Sequence, residues 1–173
     1  MTLVQPSTLP EGALLARYAQ SGAYTDCYHV DVPMSVSLAQ YVRSFYTTSL
    51  FKAERSLLAV IARRPATDKS AQDLANNQTT RFSVWDVEDR NSNQLMLRDF
   101  MGRTRSWLMV RPDALAGSTG TRLYFGSAVI PKSVAPGGVP SFGVAFHALS
   151  GFHHLYSKAL LRAAQSNLGT ERH

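Results

Sequence analysis

The chain of 173 residues has one cysteine, Cys27, so it can build neither an intramolecular disulfide framework nor a cysteine-rich zinc site. It has no run approaching the roughly 18 consecutive apolar residues of a membrane-spanning helix. The first ten residues lack the basic-then-apolar pattern of a secretory signal. With a reduced thiol and no span, the expected location is cytoplasmic. Catalytic and cofactor motifs are missing too: there is no HExxH, CxxC, GxGxxG, Walker-type loop or GxSxG elbow. Gly137-Gly138 lies in a proline-rich connection and reads as a turn, and His147 and His154 stand seven residues apart with no third ligand. No metal and no cofactor are therefore expected.

What is present is an apolar fraction of 45%, too high for disorder, in a chain long enough to bury about 70% of its unfolded surface in one core. Charged residues are only 17%, yet the net charge is +6, and 14 arginines against 4 lysines carry it. Such a charge permits an acidic partner without requiring one.

Period-two alternation from Tyr24 to Val32, closed by Pro33, predicts a strand. Ser35 is a candidate cap for a helical stripe through Leu38, Tyr41, Val42 and Phe45. A second stripe through Leu50, Ala53, Leu57 and Ile61 extends the helical region to about residue 64. A short polar helix fits 68–77. Segments 81–88, 94–100, 104–111 and 121–130 read as consecutive antiparallel strands. A long helix follows from Ser141 to about Asn167, ended by Gly169. Residues 1–23 read as a loose arm with one helical turn, and 24–168 as a single α+β domain.

Pairing Asp86 with Leu95, Leu97 with Ser106 and Leu108 with Leu123 sorts the strands into two faces. One holds Asp86, Asp99, Thr104, Ser106, Leu108, Phe125 and Ser127 among aliphatic residues, and the last helix is expected to cover it. The other holds Trp85, Met96, Trp107 and Tyr124 in a row, beside Arg98, Arg105 and Arg122. A one-residue slip in any hairpin would exchange the faces of that strand. On the last helix, Phe146, Leu149, His153 and Tyr156 fall on the apolar arc, while His147 and His154 fall outside it.

The stretches Leu97-Arg98-Asp99, Gly102-Arg103-Thr104-Arg105-Ser106-Trp107-Leu108-Met109-Val110 and Gly120-Thr121-Arg122-Leu123 resemble a bacterial family of START/Bet v 1-like (SRPBCC) proteins. So do Phe146-His147 and Phe152-His153-His154-Leu155-Tyr156. Members are sometimes fused to a dehydrogenase-like dinucleotide-binding domain. The resemblance spans 24–167 and implies a helix-grip fold, a curved antiparallel sheet wrapped around a long C-terminal helix with two short helices. It also implies an apolar cavity between sheet and helix. In the fourth strand, however, Tyr124, Gly126 and Ala128 occupy outer positions where polar residues are expected.

The leading expectation is a binding protein for a small apolar or aromatic ligand. Its contacts would be Asp86, Ser106, Leu108, Phe125, Ser127, Phe146, Leu149 and Tyr156. An alternative is a cyclase, dehydratase or isomerase using Asp99 or His153 as general acid or base in the same cavity. Against it stands the plainer role of a strand-end Asp as a turn cap. A third reading makes the row of Trp85, Met96, Arg98, Arg105, Trp107 and Tyr124 a protein-interaction face, with a homodimer preferred over single-stranded nucleic acid. Were the sheet inverted, Trp85, Trp107 and Tyr124 would line the cavity, and Arg98 or Arg105 would anchor an acidic ligand.

Overall fold

A computed structural model describes residues 3–49, 51, 67–112, 120–131, 133–134, 140–141 and 144–170; beyond residue 131, side chains are described only for 156–169. Among the described residues thirteen elements follow one another: β1 (Gln5–Pro6), α1 (Ala16–Gln20), β2 (Tyr24–Val32), α2 (Leu38–Tyr46), α3 (Asp68–Ala75), β3 (Arg81–Phe82), β4 (Trp85–Arg90), β5 (Gln94–Asp99), β6 (Thr104–Pro112), β7 (Thr121–Val129), β8 (Ser133–Val134), β9 (Pro140–Ser141) and α4 (Val144–Thr170). The architecture is α+β. Seven strands form one antiparallel sheet in the order β1-β2-β7-β6-β5-β4-β3, and β8 and β9 pair separately.

Local chemistry accounts for the helix starts. Ser37, two residues after the expected cap, opens α2 through a capping box with Gln40, and Thr67 does the same for α3 with Ser70. α3 closes on Asn76, and Asn77 takes a left-handed φ of 58°. The second stripe of the expected helical region, 52–64, lies outside the described residues.

The inner face of the sheet packs Tyr28, Val30, Leu95, Leu97, Leu108, Leu123 and Phe125 against α2, α3 and the end of α4, where Leu160, Leu161, Ala164 and Leu168 are buried. α4 is tied to α2 by two polar bonds. The Ser44 hydroxyl donates to the Ala164 carbonyl at 2.7 Å, and Asn167 Nδ2 donates to the Ser44 carbonyl at 3.2 Å.

The register bears out Leu97 opposite Ser106 and corrects the other two pairings. Leu108 faces Phe125 rather than Leu123, a shift of two that leaves its face unchanged. In β4 the ladder runs Arg90–Leu95 and Asp89–Met96, then slips between Asp89 and Val87 to Val87–Leu97, Asp86–Arg98 and Trp85–Asp99. This one-residue bulge exchanges the two faces beyond it. Trp85 therefore joins the inner side, against the main core, and Asp86 turns away to pair with Arg81 at 2.9 Å.

The outer face is also apolar and is covered by the chain itself. Met96, Trp107, Met109, Tyr124, Ala128 and Cys27 form a second core with Ala13 and Leu15, flanked by Leu9, Leu14, Ala16 and Tyr18. The N-terminal segment expected to be a loose arm thus lies across the sheet. Gln94, only 3% exposed, clamps it. Its Oε1 accepts from the Leu14 N–H at 2.8 Å and from the Trp107 indole N–H at 2.9 Å, and its Nε2 donates to the Gly12 carbonyl at 2.9 Å. Close approach requires Gly126. A Cβ there would lie 2.8 Å from the Asp26 carbonyl oxygen, 2.9 Å from Leu15 Cδ2 and 3.0 Å from Trp107 Cε3.

Gly126→Ala is expected to destabilise the fold by about 1–3 kcal/mol, since the backbone carbonyl opposite cannot yield as a side chain would. Gln94→Leu is expected to cost about 2 kcal/mol by leaving the Trp107 indole N–H without its partner. Urea denaturation of the two variants against the wild type measures both.

Candidate functional site

Between the inner face and the helices lies a cavity of about 220 Å³. Its walls include Phe45 and Phe51, Trp85 from β4, Thr104 and Ser106 from β6, Phe125, Ser127 and Val129 from β7, and Tyr156 and Leu160 from α4. The register explains the space. Ser106 and Ser127 stand directly opposite each other in the ladder, next to the bulky pair Leu108 and Phe125. Two small side chains together leave a hollow that aliphatic residues there would fill.

The polar atoms of this wall are mainly hydroxyls. Ser106 Oγ shares a hydrogen bond with the Tyr46 hydroxyl at 3.1 Å, and Ser127 Oγ donates to Asp26 Oδ1 at 2.7 Å. The same oxygen of Asp26 accepts the Ser127 N–H at 2.9 Å. Arg105 touches the cavity, but its guanidinium belongs to the opposite face. There it lies 4.6 Å from the Tyr18 ring centroid, its Nε donates to the Tyr18 hydroxyl at 2.9 Å, and its Nε sits 2.6 Å from Glu88 Oε2. Tyr18 in turn donates to Glu88 Oε1.

The expected contact residues divide. Ser106, Phe125, Ser127 and Tyr156 line the cavity. Leu108 is fully buried in the core beside it. Asp86 lies on the other side of the sheet, for the bulge already described. The side chains of Phe146, Leu149 and His153 lie outside the described residues. Asp99, the other candidate acid or base, is taken up by the β5–β6 turn, where its Oδ1 accepts the N–H of Arg103 at 2.6 Å and of Thr104 at 2.8 Å.

Of the aromatic row, Trp107 and Met96 are 0% exposed, and the N-terminal segment covers them together with Tyr124. The row is therefore interior to one chain. Arg98 alone among its arginines is exposed; Arg122 forms a two-pronged pair with Asp31 at 2.7 and 2.8 Å. The inverted-sheet alternative holds for Trp85 but not for Trp107 or Tyr124, which stay on the outer face.

Sequence reasoning missed Phe45 and Phe51 as cavity residues and reached Trp85 only through the inverted-sheet alternative. The first two were legible only as helical apolar positions. Trp85 was hidden by a bulge that no local signal announces.

Two further groups are defined by burial. Burial, with a smaller contribution from the Asp26 carboxylate, pushes the Cys27 thiol up to about 12, so it is no thiolate nucleophile at neutral pH. His29, beside Tyr124 with its Nδ1 buried and without a partner among the described residues, has its pKa lowered by burial and then by the Arg122 guanidinium, against a smaller opposing effect of Asp31. Among the described residues no three His, Cys, Asp or Glu side chains are grouped to hold a metal ion. Nor is any helix there long and apolar enough to cross a membrane. Comparisons with family models, with curated proteins and with solved structures return no match to this chain.

Cys27 is expected to resist DTNB in the native protein and to react at the rate of opening, so labelling should accelerate in step with added urea. The lowered His29 pKa means that the folded state binds fewer protons than the unfolded one. The stability from this residue is complete above the unfolded value of about 6.5 and is lost as pH falls through the folded value. Urea midpoints measured between pH 5 and 7.5 should fall on acidification, and His29→Phe should flatten that part of the profile.

Proposed function

We propose that this chain is a helix-grip protein of the START/Bet v 1-like kind and that it binds a small apolar or aromatic molecule between its sheet and its C-terminal helix. The observation that carries the reading is the cavity walled by Phe45, Phe51, Trp85, Phe125, Tyr156 and Leu160, with hydroxyls of Thr104, Ser106 and Ser127 among them. A mostly apolar hollow with a few polar groups is the usual makeup of a small-molecule site. The topology is compatible. β2 lies beside β7, the helices α2 and α3 fall between β2 and β3 in sequence, and α4 packs on the inner face.

The size of the cavity bounds the ligand. An apolar cavity of about 150 Å³ accommodates benzene, so one of about 220 Å³ suits a molecule of one or two rings. Of the two expected acid–base residues, Asp99 is already committed through its carboxylate to two turn N–H groups, which counts against a catalytic role for it.

1-Aminonaphthalene titrated into the protein is expected to gain fluorescence with a saturable, one-site curve. Val129→Phe, at the partly exposed end of β7, should fill the cavity and weaken binding at least about tenfold with no loss of thermal stability. No saturable binding by the wild type, or undiminished binding by the folded variant, would count against a cavity site.

A further inference from the structure

One polar atom of the cavity wall is anomalous. The Trp85 indole N–H is buried and has no hydrogen-bond partner among the described residues, although an indole nitrogen can act only as a donor. The sequence contains one other tryptophan, and its N–H is satisfied by Gln94 Oε1 at 2.9 Å. Buried donors are paired in the great majority of cases, and an unpaired one calls for an explanation. Thr104 adds a second donor. Its hydroxyl has no partner among the described residues, and Asp99 ties the two positions together, facing Trp85 in the ladder and holding the Thr104 N–H at 2.8 Å.

The charges nearby decide the rest. The carboxylates of Asp26 and Asp99 lie in contact with wall residues Ser127 and Thr104, and among the described residues no cationic head group faces the space, because the Arg105 guanidinium is engaged on the opposite face. A negatively charged ligand would meet two like charges there with no counter-charge. A neutral acceptor would meet no like charge, with the Thr104 hydroxyl on the wall and the Trp85 indole N–H buried behind the surface of its own ring.

Resting on the cavity-binding reading above, we propose that the ligand is an uncharged one- or two-ring molecule bearing a carbonyl-type oxygen, which accepts hydrogen bonds from Trp85 Nε1 and the Thr104 hydroxyl. The indole N–H has no accessible surface in the empty cavity, so the ring swings toward the ligand as it enters. That movement breaks no hydrogen bond of the indole N–H, so the new bond has no lost one to offset.

The test uses the full ¹⁵N-labelled chain and three probes sharing one ring system: indane, 1-indanone and indane-2-carboxylate. Two tryptophans give two indole N–H signals, and Trp85→Phe assigns them. 1-Indanone is expected to bind at least about tenfold more tightly than indane, as one added hydrogen bond would require. It should also move the Trp85 indole proton downfield and leave that of Trp107 in place, and the carboxylate should bind weakest. Trp85→Phe and, separately, Thr104→Val should each reduce the ratio of ketone to hydrocarbon affinity, whatever either does to indane binding itself, and thermal melts report that the variants are folded. Equal affinity for indane and 1-indanone with an unmoved Trp85 signal would overturn the acceptor assignment and leave the cavity standing. Failure of all three probes to bind would remove both, and a carboxylate as tight as the ketone would overturn the claim that the ligand is uncharged.

Discussion

The three hydrogen bonds of the Gln94 side chain hold together a sheet that is apolar on both faces. An antiparallel sheet commonly leaves one face to water and needs a single cover. Here Leu108 and Phe125 look one way while Trp107, Tyr124 and Met96 look the other, and all are buried. The chain therefore has to cover itself twice. The C-terminal helix and its companions do so on the inside, and a segment of the N-terminal region does so on the outside. Gln94 binds that segment through both ends of its amide and closes the indole N–H of Trp107 at the same time. Around it, Arg17 pairs with Asp89 and Arg105 joins Tyr18 to Glu88, so that the basic excess of the sequence is partly spent in fastening the cover to the sheet.

Much of this was legible in the sequence where periodicity speaks. The limits of β2 follow from alternation ending at Pro33, and the order of helices and strands follows from the change between periods of two and of three to four. The Ser106–Ser127 hollow was partly visible as well, because the Leu97–Ser106 register placed Ser106 inside and Ser127 shared its face. What ended on the wrong face was what depended on counting across an irregularity, whereas the β6–β7 pairing was off by two and kept its face. A bulged residue leaves no mark in the pattern of apolar positions, yet it moved Trp85 to the cavity and Asp86 out of it.

The cover on the outer face was hidden for a different reason. Ala13 to Tyr18 is a short apolar piece between Gly12 and Gly22, and no local rule says which surface it will meet. The information was present at the other partner. Tyr124, Gly126 and Ala128 are too apolar, and Gly126 too small, for a strand surface facing water. An apolar stretch with no assigned partner and an apolar face with no assigned cover are complementary statements. Tertiary packing joined them, and two of the three arginines of that face, Arg105 and Arg122, are engaged within one chain.

A sheet gripped from both sides can tolerate a hollow that a looser fold could not. Unfilled interior space costs about 24 cal/mol for each Å³, which for a closed void of about 220 Å³ would reach about 5 kcal/mol as an upper figure. That is comparable to the whole stability of many domains. Leucine or valine at 106 and 127 would remove the penalty by simple packing. The chain instead places two serines there, commits their hydroxyls to Tyr46 and Asp26, and leaves the indole N–H of Trp85 with no partner among the described residues. Each choice forgoes stability that ordinary core residues would supply. Under the proposal above, the unfilled space and the unpaired indole N–H become favourable together once an apolar molecule with a hydrogen-bond acceptor is bound, and this shared dependence on an occupant is its physical support.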